Sequence, residues 1–229
     1  MKNISFKIKT GERLAIVGYN GAGKSTLIKL ICRLYTPTDG RILYNGIDIS
    51  TLNYAEYSRL LSVIFQDYNI YSMSVKENIV LNGNANELEI ENAVEKSGLS
   101  DKLLTLPYGI NTQLGKDFDE NGIEFSGGEA QKLSCARAYY KNTDIIIMDE
   151  PTASLDPISE QQLFKRFNEI IGKKTAIYIT HRLASVKFCD HIAVLMNGEL
   201  VEYGTHRELM QQKNVYYDMF SKQSNYYNE

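Results

Sequence analysis

The sequence predicts an α/β fold in which a mixed, largely parallel sheet carries a small antiparallel β piece and an inserted run of helices. Three observations carry this reading. Apolar strands at 144–149 and 175–180 are separated by a helix announced by Asp156 as cap and Pro157 in its first turn, the βαβ pattern of a parallel sheet. The turn signals Thr38-Asp39-Gly40 and Asn45-Gly46 bracket Arg41 to Tyr44 as an antiparallel hairpin. From Ser74 to Tyr140 helix starts replace strand signals.

Taken in order, Ile4 to Ile8 alternates apolar and polar residues and reads as a strand, Thr10-Gly11-Glu12 turns, and Arg13 to Val17 is a short apolar strand ending at Gly18. Ser25 to Tyr35 reads as a helix stopped before Pro37, and Leu61 to Phe65 as a strand ending at Gln66. Ser74-Val75-Lys76-Glu77 and Ser126-Gly127-Gly128-Glu129 have capping-box spacing, so each opens a helix. His191 to Tyr203 is a hairpin turning at Asn197-Gly198, after which Thr205-His206-Arg207-Glu208 caps a last helix that runs into a tyrosine-rich tail. The expected organisation is one domain over residues 1–229, with a helical subdomain inserted at about 70–140 and a C-terminal helix at about 205–229.

Composition narrows the function. With 229 residues, 43% of them hydrophobic, and a net charge of −3, the chain is an ordinary globular protein able to bury roughly 70–75% of its extended surface. Weak acidity and the lack of a Lys/Arg stripe argue against a nucleic-acid partner. Apolar runs such as Ile145 to Met148 fall far short of the roughly 18–20 residues that span a bilayer. Met1 to Ile8 has no apolar core of signal-peptide length, so no removable leader is expected. Cys32, Cys135 and Cys189 are far apart and in no CxxC pair, which indicates buried thiols in a reducing compartment rather than a disulfide framework or zinc site.

The chemistry concentrates at strand ends. Gly18-Tyr19-Asn20-Gly21-Ala22-Gly23-Lys24-Ser25-Thr26 lies between a strand and a helix, the context in which a glycine-rich phosphate loop is a strong signal. Backbone N–H groups without a Cβ in the way can wrap a phosphate chain, and the following helix directs its positive end at it. Lys24 would reach the outer phosphates and the Ser25 hydroxyl would ligate Mg²⁺. Asp149 and Glu150 end the apolar strand from Ile145. Two carboxylates at such a tip are unfavourable unless they face a ligand-filled crevice, with Asp149 suited to the metal shell and Glu150 to orienting or deprotonating a water. Alone, Gln66 reads as a solvated strand-end residue and His181 as a loop histidine. Ser126-Gly127-Gly128-Glu129 reads as a helix cap, but two glycines at the first helical positions cost about 1 kcal/mol each against Ala and make sense if an anion approaches the helix end.

Together these segments resemble the ATP-binding cassette family from about Lys2 to the tail: the phosphate loop, Gln66, Phe125-Ser126-Gly127-Gly128-Glu129, Asp149-Glu150-Pro151, Ser154-Leu155-Asp156 and His181 occur in that family's order and spacing. Val75-Lys76-Glu77-Asn78-Ile79, Thr112 to Gly115 and Gly204-Thr205-His206 resemble its exporter branch. The resemblance implies a P-loop NTPase core with an antiparallel β subdomain and an inserted helical signature subdomain, working as a head-to-tail dimer. ATP and Mg²⁺ would be held by residues 18–26 of one copy, and Ser126, Gly127 and Gly128 of the other would close on the γ-phosphate, with Glu129 beside them. By the same resemblance Glu150 is the general base, His181 a γ-phosphate sensor, Gln66 a metal and water ligand beside Ser25 and Asp149, and Asp156 part of the dimer seam. The loop from Asp67 to Ser74 and the stretch at Gly115 to Asp117 would touch a transmembrane domain, placing the chain peripherally on the cytoplasmic face of the membrane.

The sequence departs from the family pattern in three places. Phe125 and Glu129 stand where the signature usually has Leu and Gln. Residues 116–121 form a longer, more acidic loop, read as a surface insertion, with altered signalling to a membrane domain as the alternative. The family stacks adenine on an aromatic residue upstream of the segment resembling Lys2 to Ile8. The expectation is therefore that the chain is the C-terminal part of a longer transporter, with Met1 an internal or introduced residue. The implied function is ATP hydrolysis that powers export of a peptide, lipid or drug. An importer ATPase would often carry a regulatory C-terminal domain, and a soluble cassette ATPase long coiled coils or two cassettes. A P-loop kinase has no use for Ser126-Gly127-Gly128 or His181.

Overall fold

The structure, a computed structural model, describes residues 1–65, 69–81, 83, 85–150 and 171–226. Gln66, Asp67, Pro151, Ser154, Leu155, Asp156 and Pro157, on which several expectations rest, lie outside the described residues. Two compact units are distinguished: Met1–Leu61, Asp144–Glu150 and Ile171 onward form one, and Ser62–Thr143 belongs to the other.

The strands are β1 (Arg13–Val17), β2 (Leu43–Tyr44), β3 (Ile47–Asp48), β4 (Leu61–Ile64), β5 (Ile145–Asp149), β6 (Thr175–Ile179), β7 (His191–Met196) and β8 (Glu199–Gly204). Six form one sheet in the order β4-β5-β6-β1-β7-β8, while β2 and β3 make a separate hairpin. The β5–β6, β6–β1 and β1–β7 pairs are parallel and β8 closes antiparallel on β7. Every residue of β6 is buried and β1 is buried from Leu14 onward, which explains their predominantly apolar sequence. Both Asn-Gly turns form as expected: Asn45 and Gly46 have φ of 50° and 82°, and Asn197 and Gly198 have 53° and 79°, the left-handed pair that fits a twisted hairpin.

The helices are α1 (Lys24–Ile31), α2 (Tyr54–Arg59), α3 (Val75–Val80), α4 (Glu87–Ser97), α5 (Ser100–Leu104), α6 (Gly127–Lys141), α7 (His206–Gln212) and α8 (Val215–Tyr226). In the second unit α3, α4 and α6 enclose Val75, Ile79, Ile90, Val94, Leu133 and Ala136. The capping boxes read at Ser74, Ser126 and Thr205 all form. Cys32 and Cys135 are buried and Cys189 half-buried, all as free thiols.

Three elements differ from the sequence reading. Residues 4–8 keep the alternation, with Ile4, Phe6 and Ile8 half-buried, yet form no strand. Side chains and a turn hold this segment and its flanks: the Tyr203 hydroxyl donates to Lys7 O (3.1 Å), while on either side Lys2 N–H donates to Gly198 O (2.8 Å) and Lys9 N–H to Glu12 (2.7 Å). Helix α1 stops at Ile31 rather than Tyr35 because Arg33 turns left-handed at φ 57°. Its guanidinium is anchored on the carbonyls of Leu52 (2.8 Å) and Ser50 (3.2 Å) and over the rings of Tyr54 and Tyr57. Long-range anchoring here overrides helical propensity.

The third difference is the tail, which forms two helices where one was expected, broken at Lys213 with φ 55°. The break is stabilised from a distance. The Glu202 carboxylate on β8 accepts the N–H groups of Val215 (2.8 Å) and Tyr216 (2.9 Å), covering the first amides of α8 with a negative charge. Tyr216 is fully buried against Val17, Leu183, Val186 and Ile192, and its hydroxyl is hydrogen-bonded to His206 Nδ1 at 2.8 Å. Replacing Glu202 with Ala removes two charge-assisted bonds, so urea unfolding should show a loss of about 1–3 kcal/mol. An unchanged midpoint would refute this long-range cap.

Candidate functional site

The glycine-rich loop leaves β1 at Gly18. A Cβ there would stand 2.3 Å from the Leu195 carbonyl oxygen, so only glycine lets β1 end this close to β7. Gly23 lies left-handed at φ 101° in the N-cap position of α1 and offers no capping side chain, which keeps the helix end uncovered. The Ala22 carbonyl accepts the Gly198 N–H at 3.1 Å, bracing the loop on the β7–β8 turn. Tyr19, Asn20, Gly21, Ser25 and Thr26 are exposed along the loop.

Lys24 is buried at 6% exposure, and its ammonium donates to the carbonyls of Gly18 (2.9 Å) and Tyr19 (3.2 Å). Burial pushes it below the ordinary lysine range, against the pull of Glu150 and Asp149. Asp149 is equally buried at the tip of β5. Burial raises its pKa and the neighbouring Glu150 adds to the rise, against the Ser25 hydrogen bond and the charges of Lys24 and Lys29. The Ser25 hydroxyl and Asp149 carboxylate thus meet as two hard oxygen donors, a pair that fits magnesium.

Glu150, the next residue, sits in the left-handed region at φ 49°, a conformation uncommon for a glutamate. Its N–H donates to Ile179 O (2.9 Å), which fixes the turn, and its Oε2 stands 3.2 Å from His181 Nδ1. The loop from Gly18, Lys24, Ser25, Asp149, Glu150 and His181 therefore lie together in the first unit.

Ser126, Gly127, Gly128 and Glu129 belong to the second unit, at the start of α6. The Ser126 N–H donates to Glu129 Oε2 (2.8 Å) and the Glu129 N–H to Ser126 Oγ (3.4 Å). Amides of Gly127 and Gly128 take no part in this box, and a Cβ on either glycine would meet no atom within 4 Å. Both departures in the signature converge on one residue that motif reading passes over: Lys102 binds Glu129 Oε1 at 2.9 Å and lies 5.7 Å above the Phe125 ring. Burial alone would raise the Glu129 pKa, but Lys102 and Ser126 outweigh it and hold the carboxyl below its usual range.

The same unit joins two loops singled out on the sequence. Leu114 N–H donates to Met73 O (3.1 Å), Val75 N–H to Thr112 O (3.0 Å), and the Ser72 hydroxyl to Asp117. A Cβ at Gly115 would come within 2.6 Å of Ser72 Oγ, so this contact needs glycine. Arg137 on α6 ties the arrangement by donating to the carbonyls of Asn69 and Asn78 and to Asn78 Oδ1. Phe118 projects from the joined loops at 90% exposure.

A family model for the ABC transporter matches residues 1–153. The chain belongs to the ABC transporter family. As a member it is an ATP-binding domain. It is 40% identical over its full length to the subtilin transport ATP-binding protein SpaT of Bacillus subtilis, covering 37% of that protein. It is 41% identical over 98% of its length to the mitochondrial iron-sulfur clusters transporter ATM1 of Kluyveromyces lactis, covering 31% of it. It superposes on a bacterial Atm1-family ABC exporter with ATP bound with a TM-score of 0.86, at 34% identity over 93% of this chain and 37% of that one. The chain thus spans about a third of the length of these relatives.

The raised pKa of Asp149 gives this ABC domain a pH signature. The folded chain holds that proton more readily than the unfolded chain, so the penalty for burying the charge is complete above the folded pKa and fades as pH falls through it. Asp149→Asn should melt above the wild type at pH 7, with the gap closing toward acid pH, and should lose magnesium-dependent nucleotide binding. A variant that melts no higher at pH 7 would overturn this account.

Proposed function

We propose that the chain hydrolyses ATP to power export across a membrane, as one half of a head-to-tail dimer of such domains coupled to a transmembrane domain. The observation that carries this reading is Glu150: a carboxylate on a left-handed backbone, 3.2 Å from His181 Nδ1 and beside the phosphate loop. A regulatory or purely binding role would require neither the strained backbone nor the histidine.

Lys24 and the uncovered amides at the start of α1 hold the outer phosphates. Ser25 and Asp149 hold Mg²⁺, with Gln66 expected to complete the protein ligands. When bound, the ion neutralises charge on the phosphate oxygens. Glu150 accepts a proton from the attacking water. His181 turns Nδ1 to Glu150, which leaves Nε2 as the nitrogen directed to the γ-phosphate. Ser126, Gly127 and Gly128 supply the open end of α6 to the nucleotide of a partner domain, while Glu129 acts by holding Ser126 in the cap. Positioning and charge neutralisation dominate phosphoryl transfer, so completing the site from a second chain governs the rate.

The joined loops around Ser72 and Asp117, with Phe118 at their tip, are the proposed contact with the transmembrane domain, on the cytoplasmic face of the membrane. Among the described residues no helix is long and apolar enough to cross a membrane. Asp117 is used in joining the loops, which supports a role for residues 116–121 in that contact. Relatives named for subtilin transport, for iron-sulfur clusters and for multidrug export support the export reading.

Glu150→Gln should lower turnover on the order of 10²–10⁴-fold while ATP binding persists and dimers accumulate. Wild-type hydrolysis in that variant would remove Glu150 as the base. Specific activity of the dilute chain should also rise with protein concentration, and a rate per chain independent of concentration would argue against a site shared between two copies.

A further inference from the structure

His181 follows the end of β6 at Ile179, on a half-exposed loop that no ladder holds. Loop residues of this kind open locally at little cost, and an imidazole so mounted would swing away from Glu150. Three hydrogen bonds oppose this, two of them from a single side chain. Arg182 N–H turns back to Thr180 Oγ1 (2.9 Å). The Gln223 amide oxygen accepts the Leu183 N–H at 2.8 Å, and its nitrogen donates to the His181 carbonyl. A primary amide presents an acceptor and a donor side by side, so one glutamine clasps the backbone on both flanks of Arg182.

Gln223 lies on α8, 40 residues beyond Leu183. That helix is itself fixed: Glu202 holds its first amides, Tyr216 is fully buried, and the Lys187 ammonium lies 5.2 Å above the Phe220 ring. An unbroken line of contacts therefore runs from β8 through α8 to the histidine.

We infer that Gln223 is a positioning residue for His181, through which helix α8 holds the imidazole against Glu150. The inference rests on the reading of His181 as a group that acts on the γ-phosphate, and it adds to that site a residue that touches neither nucleotide nor metal.

The test is a double-mutant cycle on ATP hydrolysis by the whole chain, with wild type, Gln223→Leu, His181→Ala and the combined variant each measured from limiting to saturating ATP alongside thermal melting. Gln223→Leu should reduce kcat about three- to tenfold with KM for ATP changed less than about twofold. In the His181→Ala background the same substitution should cause no further fall, because it acts through the missing imidazole. Gln223→Glu keeps an acceptor for Leu183 but sets a carboxylate oxygen against the His181 carbonyl, so it should lose as much turnover as Leu. It also supplies the measurement if the Leu variant melts below the assay temperature. Full turnover in Gln223→Glu and Gln223→Leu, or a loss that adds in full to that of His181→Ala, would overturn the inference. Wild-type turnover in His181→Ala alone would instead overturn the reading on which it rests.

Discussion

The site depends on one row of residues across the sheet. Ile16 of β1 and Asp149 of β5 both pair with Ile179 of β6, in parallel register. Because all three strands run the same way and end level, whatever follows each of them emerges at the same edge: the phosphate loop after β1, Glu150 after β5, His181 after β6. A slip by one residue would turn alternate side chains to the opposite face and separate Asp149 from Ser25. Apolar burial of these strands is thus what gives the polar site its geometry. The close approach of Gly18 to Leu195 extends the same constraint to β7.

Burial at this edge works against the resting protein. Lys24 and Asp149 are both almost fully enclosed, and in each case burial opposes the charged form. Buried, shifted groups of this kind cluster at functional sites, which is the pattern expected if the proposed phosphate chain and cation bind here. Glu150 adds backbone strain to the same account. The fold holds three unfavourable features at one edge of the sheet, and the surrounding strands supply the stability that keeps them in place.

How much of this was legible beforehand follows from the range of each interaction. The glycine-rich loop, the three capping boxes and the Asn-Gly turns are local, each readable within a few consecutive residues, and each formed. The role of Glu150 was readable from its place at the strand tip and that of His181 came from the resemblance; their pairing at 3.2 Å needed the sheet register. Arg33, Lys102, Glu202 and Gln223 were invisible as signals because each acts on partners far along the chain. The shortening of α1, the split of the tail and the absent strand at residues 4–8 share this origin, since distant side chains decided where local propensity was indifferent.

The β7–β8 hairpin is joined to both the glycine-rich loop and the loop that carries His181. Its turn holds the Ala22 carbonyl of the phosphate loop, and Glu202 on its second strand seats the helix that clasps His181. In terms of amide exchange, the phosphate loop and the histidine loop should therefore behave as a single cooperative unit, protected together and opening together, although more than a hundred and fifty residues separate them in the chain.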